Sequence, residues 1–197
     1  DGSAWSFLGS GMSLGVRALE IAADGALYAG GYFSTAGGLL ANGVAKWDGS
    51  KWSALGSGIN GDVYALAIAT DGTLYAGGNF TTAGGNSANR IAKWNGSSWS
   101  ALGSGMDNTV NALAIATDGT LYAGGNFTTA GGNSANRIAK WDGSSWSALG
   151  SGVETYTTVT TLAVASDGAL YAGGNFSTIG GILANHIAKW DGSTWSA

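Results

Sequence analysis

The chain of 197 residues contains no cysteine and no proline, one histidine, and only 8 basic against 12 acidic side chains. Without cysteine, the redox compartment is left open. A net charge of −4, with no cluster of Lys or Arg, lacks the positive surface that neutralising phosphates requires, so nucleic acid is excluded as a partner. A helix that crosses a bilayer needs roughly 18–20 apolar residues in a row. The longest strongly apolar stretch, around residues 65–69, is far shorter, and no membrane insertion is expected. No starting Met, basic-then-apolar leader or small-residue cleavage site is present, so a targeting segment is expected to have been removed or to lie outside this sequence. Disorder is excluded by the 45% of hydrophobic residues, among them 9 Trp, which suffice to build a core.

What the sequence has in abundance is glycine, 36 residues, and repetition. Trp5, Trp52, Trp99, Trp146 and Trp195 each follow a Gly-Ser-x step, and the first four are spaced 47 residues apart. Residues 63–105 and 110–152 differ only at Tyr64/Asn111 and Asn95/Asp142, as a recent tandem duplication would leave them. The repeats run approximately over residues 16–58, 63–105, 110–152 and 159–197. Residues 1–10 remain as an extra fourth strand that closes a blade.

Within the third repeat, residues 110–117 and 120–127 are two β-like runs joined at Asp118-Gly119, which reads as a two-residue hairpin. Residues 136–141 and 145–149 form a second hairpin around Asp142-Gly143 by the same logic. Each unit therefore reads as four antiparallel strands. The first is apolar on both faces, which predicts that it is innermost. Four-stranded units of this length, repeated without linkers, predict an all-β fold, a β-propeller of four-stranded antiparallel blades with four ~47-residue repeats per chain.

The order Leu121-Tyr122-Ala123-Gly124-Gly125, then Trp141 and Trp146, resembles the kelch repeat, and all four copies share it. Trp47-Asp48, Trp141-Asp142 and Trp190-Asp191 are similar to the WD dipeptide, without the Gly-His partner of WD40 repeats. The Trp-Ser-Ala-Leu-Gly-Ser-Gly units also resemble blades of bacterial secreted or surface proteins. That likeness implies an extracellular or cell-surface, bacterial location. The copper chemistry of galactose-oxidase-like kelch propellers is not carried over, because the chain has one His and no Cys.

Two closures are open: residues 5–8 complete a blade built from 159–192 of the same chain, giving four blades, or of a second chain, giving an eight-bladed homodimeric ring. A third alternative is a fragment of a longer array. A unique site must lie where the copies differ. Asn89-Arg90 and Asn136-Arg137 correspond to Asn185-His186, and Glu20 replaces the Ala67, Ala114 and Ala163 of the other copies in what reads as a channel position. The Asp-Gly turns gather at one end of the blades. The connections at the other end, residues 12–15, 59–62, 106–109 and 153–158, vary. Loops on a rigid scaffold are where binding resides. The candidate contacts for a ligand or partner are therefore Tyr156, Glu154, Arg90, Arg137 and His186. Catalytic residues, cofactors and metal ligands are not expected: no Asp-x-Asp calcium spacing occurs, and the Gly-Gly pairs lack the strand-to-helix setting of a phosphate loop. The expected function is a non-catalytic scaffold that recognises protein or glycan. The alternatives are a multivalent lectin with one site per blade, built on the repeated Lys, Asn and Asp, an enzyme with a site in the central channel, and a structural array unit.

Overall fold

A computed structural model describes residues 3–154 and 156–197. Four antiparallel sheets follow one another along the chain, each with its four strands side by side in chain order. The first blade comprises Val16–Ile21, Leu27–Gly31, Val44–Trp47 and Trp52–Ala54; the second comprises Asp62–Ile68, Leu74–Asn79, Ile91–Trp94 and Trp99–Ala101. The third comprises Val110–Ile115, Leu121–Gly125, Ile138–Trp141 and Trp146–Ala148, and the fourth Thr158–Val164, Leu170–Asn175, Ile187–Trp190 and Trp195–Ser196. A short ribbon such as Thr35–Ala36 against Leu39–Leu40 projects between the second and third strands of every blade.

The inner hairpins are one residue longer than the two-residue turn expected from Asp-Gly. In the first, the Ala22 N–H still donates to the Ala26 carbonyl at 2.9 Å, and residues 23–25 form the loop. Gly25 alone takes a positive φ of 83°, while Asp24 accepts the Ala26 N–H at 3.0 Å through its side chain. This is the three-residue loop in which a glycine supplies the left-handed step.

The inner strands pack in series, first on second, second on third and third on fourth. Glycine in the second strand of one blade receives an aliphatic pair from the next. A Cβ added to Gly30 would lie 2.6 Å from Val63 Cγ1 and 3.2 Å from Leu66; at Gly77 it would meet Val110 at 2.6 Å, and at Gly124 Val159 at 2.5 Å. Only glycine fits there. Burying each such Leu contributes about 1.5–3 kcal/mol. The apolar clusters accordingly lie between blades, Leu66 with Tyr28 and Val44, and Leu113 with Ala65 and Ile91.

Farther out, each outer-strand Trp ties its blade to the segment before it. Trp52, Trp99, Trp146 and Trp195 donate their indole N–H to the carbonyls of Leu8, Leu55, Leu102 and Leu149 at 2.9, 2.9, 3.0 and 3.1 Å. The partner Trp of the third strand tilts against each, with ring centroids 5.4, 5.5, 5.4 and 5.2 Å apart. One motif therefore supplies both halves of successive joints, because Trp52 donates backward while Leu55 accepts from the blade that follows.

Residues 5–8 form no strand, and Trp5 and Phe7 are fully exposed. The edge beside Ile187–Trp190 is instead occupied by Trp195–Ser196, which carries the same pattern and is attached through a short turn. The outer-strand motif at residues 5–8 thus has no blade within the chain. Residues 1 and 2 of that segment lie outside the described residues.

The indole joints give the first testable outcome. Trp99→Phe keeps an aromatic ring but leaves the Leu55 carbonyl without its donor, which costs about 1–3 kcal/mol. Trp5→Phe is expected to be neutral. Urea midpoints of the two variants check this, and equal midpoints would contradict the role of the indole.

Candidate functional site: a polar funnel on the blade axis

Each inner strand slips register once, between Val16 and Ala18, Val63 and Ala65, Val110 and Ala112, and Val159 and Thr161. A bulge re-aims the side chain of the extra residue. The four bulged residues are Arg17, Tyr64, Asn111 and Thr160. They converge on one cavity of about 380 Å³, completed by Tyr32, Asn126 and Thr158. Four blades thus contribute four different chemistries to a single place.

The lining is a chain of contacts. The Arg17 guanidinium lies over the Tyr32 ring at 5.8 Å, and Tyr32 meets Tyr64 edge-on at 5.9 Å. The Tyr64 hydroxyl donates to Asp62 Oδ2 at 3.1 Å. Burial first, and then the bond to the Asp62 carboxylate, push the Tyr64 phenol above its ordinary range, so it stays a neutral donor. Across the cavity, Asn111 Nδ2 donates to Thr158 Oγ1 at 3.0 Å and to Asn126 Oδ1 and the Val159 carbonyl at 3.3 Å. Aromatic faces, amides, hydroxyls and one guanidinium are groups that hold a polar ligand by hydrogen bonds and ring contacts.

None of these four residues was singled out as a site from sequence. The signal was nonetheless available: Tyr64/Asn111 is one of only two differences between the nearly identical middle copies. What strict strand alternation hides is the bulge, which turns that position out of the blade-to-blade packing.

The residues expected from sequence do not gather in one place. Arg137 and Tyr156 come together beside the funnel, in a second cavity of about 350 Å³ that shares Asn126 and Thr158 with it. Arg90, Arg137 and His186 occupy the left-handed position that Gly43 holds in the first blade, with φ of 63°, 63°, 75° and 77° respectively. A non-glycine residue costs about 1–2 kcal/mol there. Arg137 is buried and directs Nε to the Thr157 carbonyl at 3.4 Å. Arg90 Nε and Arg137 Nη1 are buried donors with no partner, whereas the His186 ring lies 3.3 Å from the Gly174 carbonyl.

Glu154 is already engaged. Its carboxylate accepts the Ser177 N–H and hydroxyl, each at 2.8 Å, and the Thr178 hydroxyl. Ser13, Asn60 and Asp107 hold the equivalent ribbons in the same way, through the amides of residues 34 and 35, 81 and 82, and 128 and 129. The connections vary in residue type but share one task. Hydrogen bonds from Thr178 and Ser177 lower the Glu154 pKa to about 2.

Glu20 is displaced from its expected channel position. It lines the crevice between the first and second blades, with Tyr28, Ile68 and Asp71, near the Asp-Gly turns. The reason is again the bulge, which puts Glu20 on the face shared with Ala18 and Tyr28 and leaves Arg17 on the axis. Burial raises the Glu20 pKa.

The geometry defines a β-propeller: antiparallel four-stranded blades in series around a polar axis. The chain belongs to the family described as the Rax2 C-terminal beta propeller domain, which matches residues 6–167 and, in a second overlapping alignment, residues 71–197. No curated protein matches the sequence at a significant level. Solved structures share the fold at low identity. The extracellular domain of a putative one-component system from B. thetaiotaomicron superposes with a TM-score of 0.59 at 13% identity, over 92% of this chain and 22% of that one. A catalytically inactive virginiamycin B lyase from Staphylococcus aureus, solved with quinupristin, gives 0.59 at 14%, over 95% and 56%. YCF48 bound to a D1 peptide gives 0.58 at 16%, over 98% and 57%. This chain therefore spans between about a fifth and a little over half of those proteins. Among the described residues no helix is long and apolar enough to cross a membrane.

Two titrations test the carboxylates. Glu154 is held by bonds to its charged form, so its contribution is present above 4.5 and is lost as pH falls toward about 2. Carboxyl NMR shifts of Glu154 should titrate near 2, and a midpoint near 4.5 would show the latch to be open in solution. Glu20 has the opposite sign: its ionised form is disfavoured in the fold, so it weakens stability as pH rises above 4.5. Glu20→Ala, which installs the residue of the other repeats, should raise the melting temperature more at pH 7 than at pH 4. An equal change at both would place Glu20 in open solvent.

Proposed function

We propose that the chain is a binding scaffold that recognises a protein or glycan at the funnel end of the blades, and that it acts without catalysis. The observation that carries this reading is the convergence of Arg17, Tyr64, Asn111 and Thr160, the point where the four copies differ in chemistry, on one cavity. Arg137 and Tyr156 extend the same surface. The unpaired guanidinium nitrogens of Arg90 and Arg137 favour a ligand rich in carbonyl, carboxylate or hydroxyl oxygen. The kelch-like order of Gly-Gly and Trp fits a scaffold of this kind, and recognition in an extracellular or cell-surface setting, as in bacterial surface proteins, is the location we assign.

A second reading, one weak glycan site per blade, draws on the Asp-Gly end. There Lys46 lies over Tyr28 at 5.4 Å and reaches Asp24 at 3.6 Å, while Lys189 repeats this with Tyr171 at 5.9 Å and Asp167 at 3.8 Å. The two readings separate on glycan and extracellular-protein arrays probed with the labelled wild type and the double variants Arg17→Ala/Tyr64→Ala and Lys46→Ala/Lys189→Ala. The funnel reading expects signals that fall at least tenfold in Arg17→Ala/Tyr64→Ala and persist in Lys46→Ala/Lys189→Ala. The reverse pattern would support per-blade sites, and an absence of binding on both arrays would count against recognition of either class.

A further inference from the structure

The three joints inside the chain provide a template for judging its two ends. At the first two internal joints the forward blade inserts a Val and a Leu that are both buried, Val63 and Val110 at 0% exposed, Leu66 at 4% and Leu113 at 9%; at the third, Val159 is 0% exposed and Leu162 is half-buried. The rear blade receives them on glycine and an aliphatic residue of its third strand; Ile91 and Ile138 are 0% exposed. The first blade carries the same inserting pair, Val16 and Leu19, but here they are 40% and 60% exposed. The fourth blade carries the same receiving face, but Ile187 is 61% exposed and Tyr171 39%, against 8–9% for Tyr28 and Tyr122. A Cβ on Gly173 would meet only its own blade, Thr161 Cγ2 at 2.7 Å and the His186 carbonyl at 3.8 Å. The chain therefore exposes one unfilled half of its joint at each end.

The two halves match each other. Val16, Leu19 and Leu27 line an apolar groove of about 620 Å³, walled by Phe7 and Leu8. The position in front of the first blade is prepared for a blade, since the Leu8 carbonyl already accepts the Trp52 indole as Leu55 does for Trp99. The receiving end face carries one ion pair, Lys189 with Asp167 at 3.8 Å beside Tyr171, and the same pair, Lys46 with Asp24 at 3.6 Å beside Tyr28, already stands at the first internal joint, so it does not oppose contact. The surface known to fit Val16 and Leu19 is the glycine face of this same fold, and a second copy presents it at Gly173 and Ile187.

We infer that two copies of this chain associate head to tail, with Val16 and Leu19 of one inserted against Gly173 and Ile187 of the other, so that both joints close a ring of eight blades. The contact is heterologous at each joint and two-fold symmetric around the ring. Its one irregularity is Thr161, which stands where the other blades have Ala18, Ala65 and Ala112 and partly fills the receiving pocket. Removing that methyl and hydroxyl deepens the pocket for Val16.

Light scattering behind size exclusion over a concentration series tests the joint. The wild type is expected at twice 19.5 kDa. Leu19→Asp and Ile187→Asp each remove one half of the joint at a position already exposed in the single chain, so both should run at 19.5 kDa with unchanged tryptophan circular dichroism. Mixing the two variants should restore a one-to-one complex, because each retains the half the other lacks. Thr161→Ala should lower the dissociation constant severalfold. A wild type that stays at 19.5 kDa throughout overturns the inference, and would leave the end faces to a different partner. Association that survives Ile187→Asp would mean that like faces pair. Masses that climb past two copies with concentration would overturn closure at eight blades, and variants that fail to complement would refute the head-to-tail joint.

Discussion

The structure depends on one joint, repeated: a glycine face that receives a Val and Leu near the axis, with an indole N–H donated to a leucine carbonyl farther out. A four-stranded blade has two faces, and the chain is too thin between them to bury either without a neighbour. Stability therefore accrues at interfaces, as in other stacked repeats. The absence of proline and the abundance of glycine follow from this. Strand interiors need every N–H for the ladder, and the backbones of adjacent blades must approach to within a side chain's width.

The same joint explains where the repeats are free to differ. Val, Leu, Gly and Trp are each fixed by a partner in a neighbouring blade, and a change at any of them leaves a void or a clash. The bulge in each inner strand releases one residue from this requirement and aims it at the axis. Arg17, Tyr64, Asn111 and Thr160 therefore differ in chemistry within a frame that otherwise repeats almost unchanged. The outward connections follow the same logic in a weaker form: Ser13, Asn60, Asp107 and Glu154 differ, but all keep an oxygen in the place where two ribbon amides need an acceptor.

The blades were legible because their signals are local and repeated. The apolar first strand, the Gly-Gly pair and the paired Trp sit at a fixed period, and the strand order follows from two hairpins per unit. The funnel was not legible, since strict alternation assigns Arg17 and Tyr64 to a blade face, and a bulge is invisible without the register of its partner strand. Glu20 was misplaced for the same reason, as one residue of slip exchanges the axis for the crevice between blades. The Asp-Gly turns showed a smaller case. The dipeptide marks the hairpin correctly, but the extra residue of the loop is set by which backbone groups pair, and composition does not report that.

The joint also has a direction. Val and Leu always point backward along the chain into glycine, and the indole always donates backward to a leucine carbonyl. A stack built from it cannot be symmetric end to end, and its termini are unlike by construction. This polarity separates two kinds of information in the molecule. Between blades the chemistry is constant and apolar, and it dictates neighbours and order. Along the axis it is variable and polar, and the contacts it makes between blades, such as Asn111 with Thr158 and Tyr32 with Tyr64, differ from joint to joint. A substitution in the funnel can therefore alter what is bound at little cost to the fold, provided that it leaves the bulge in place. The packing that fixes the architecture leaves the recognition surface free to change.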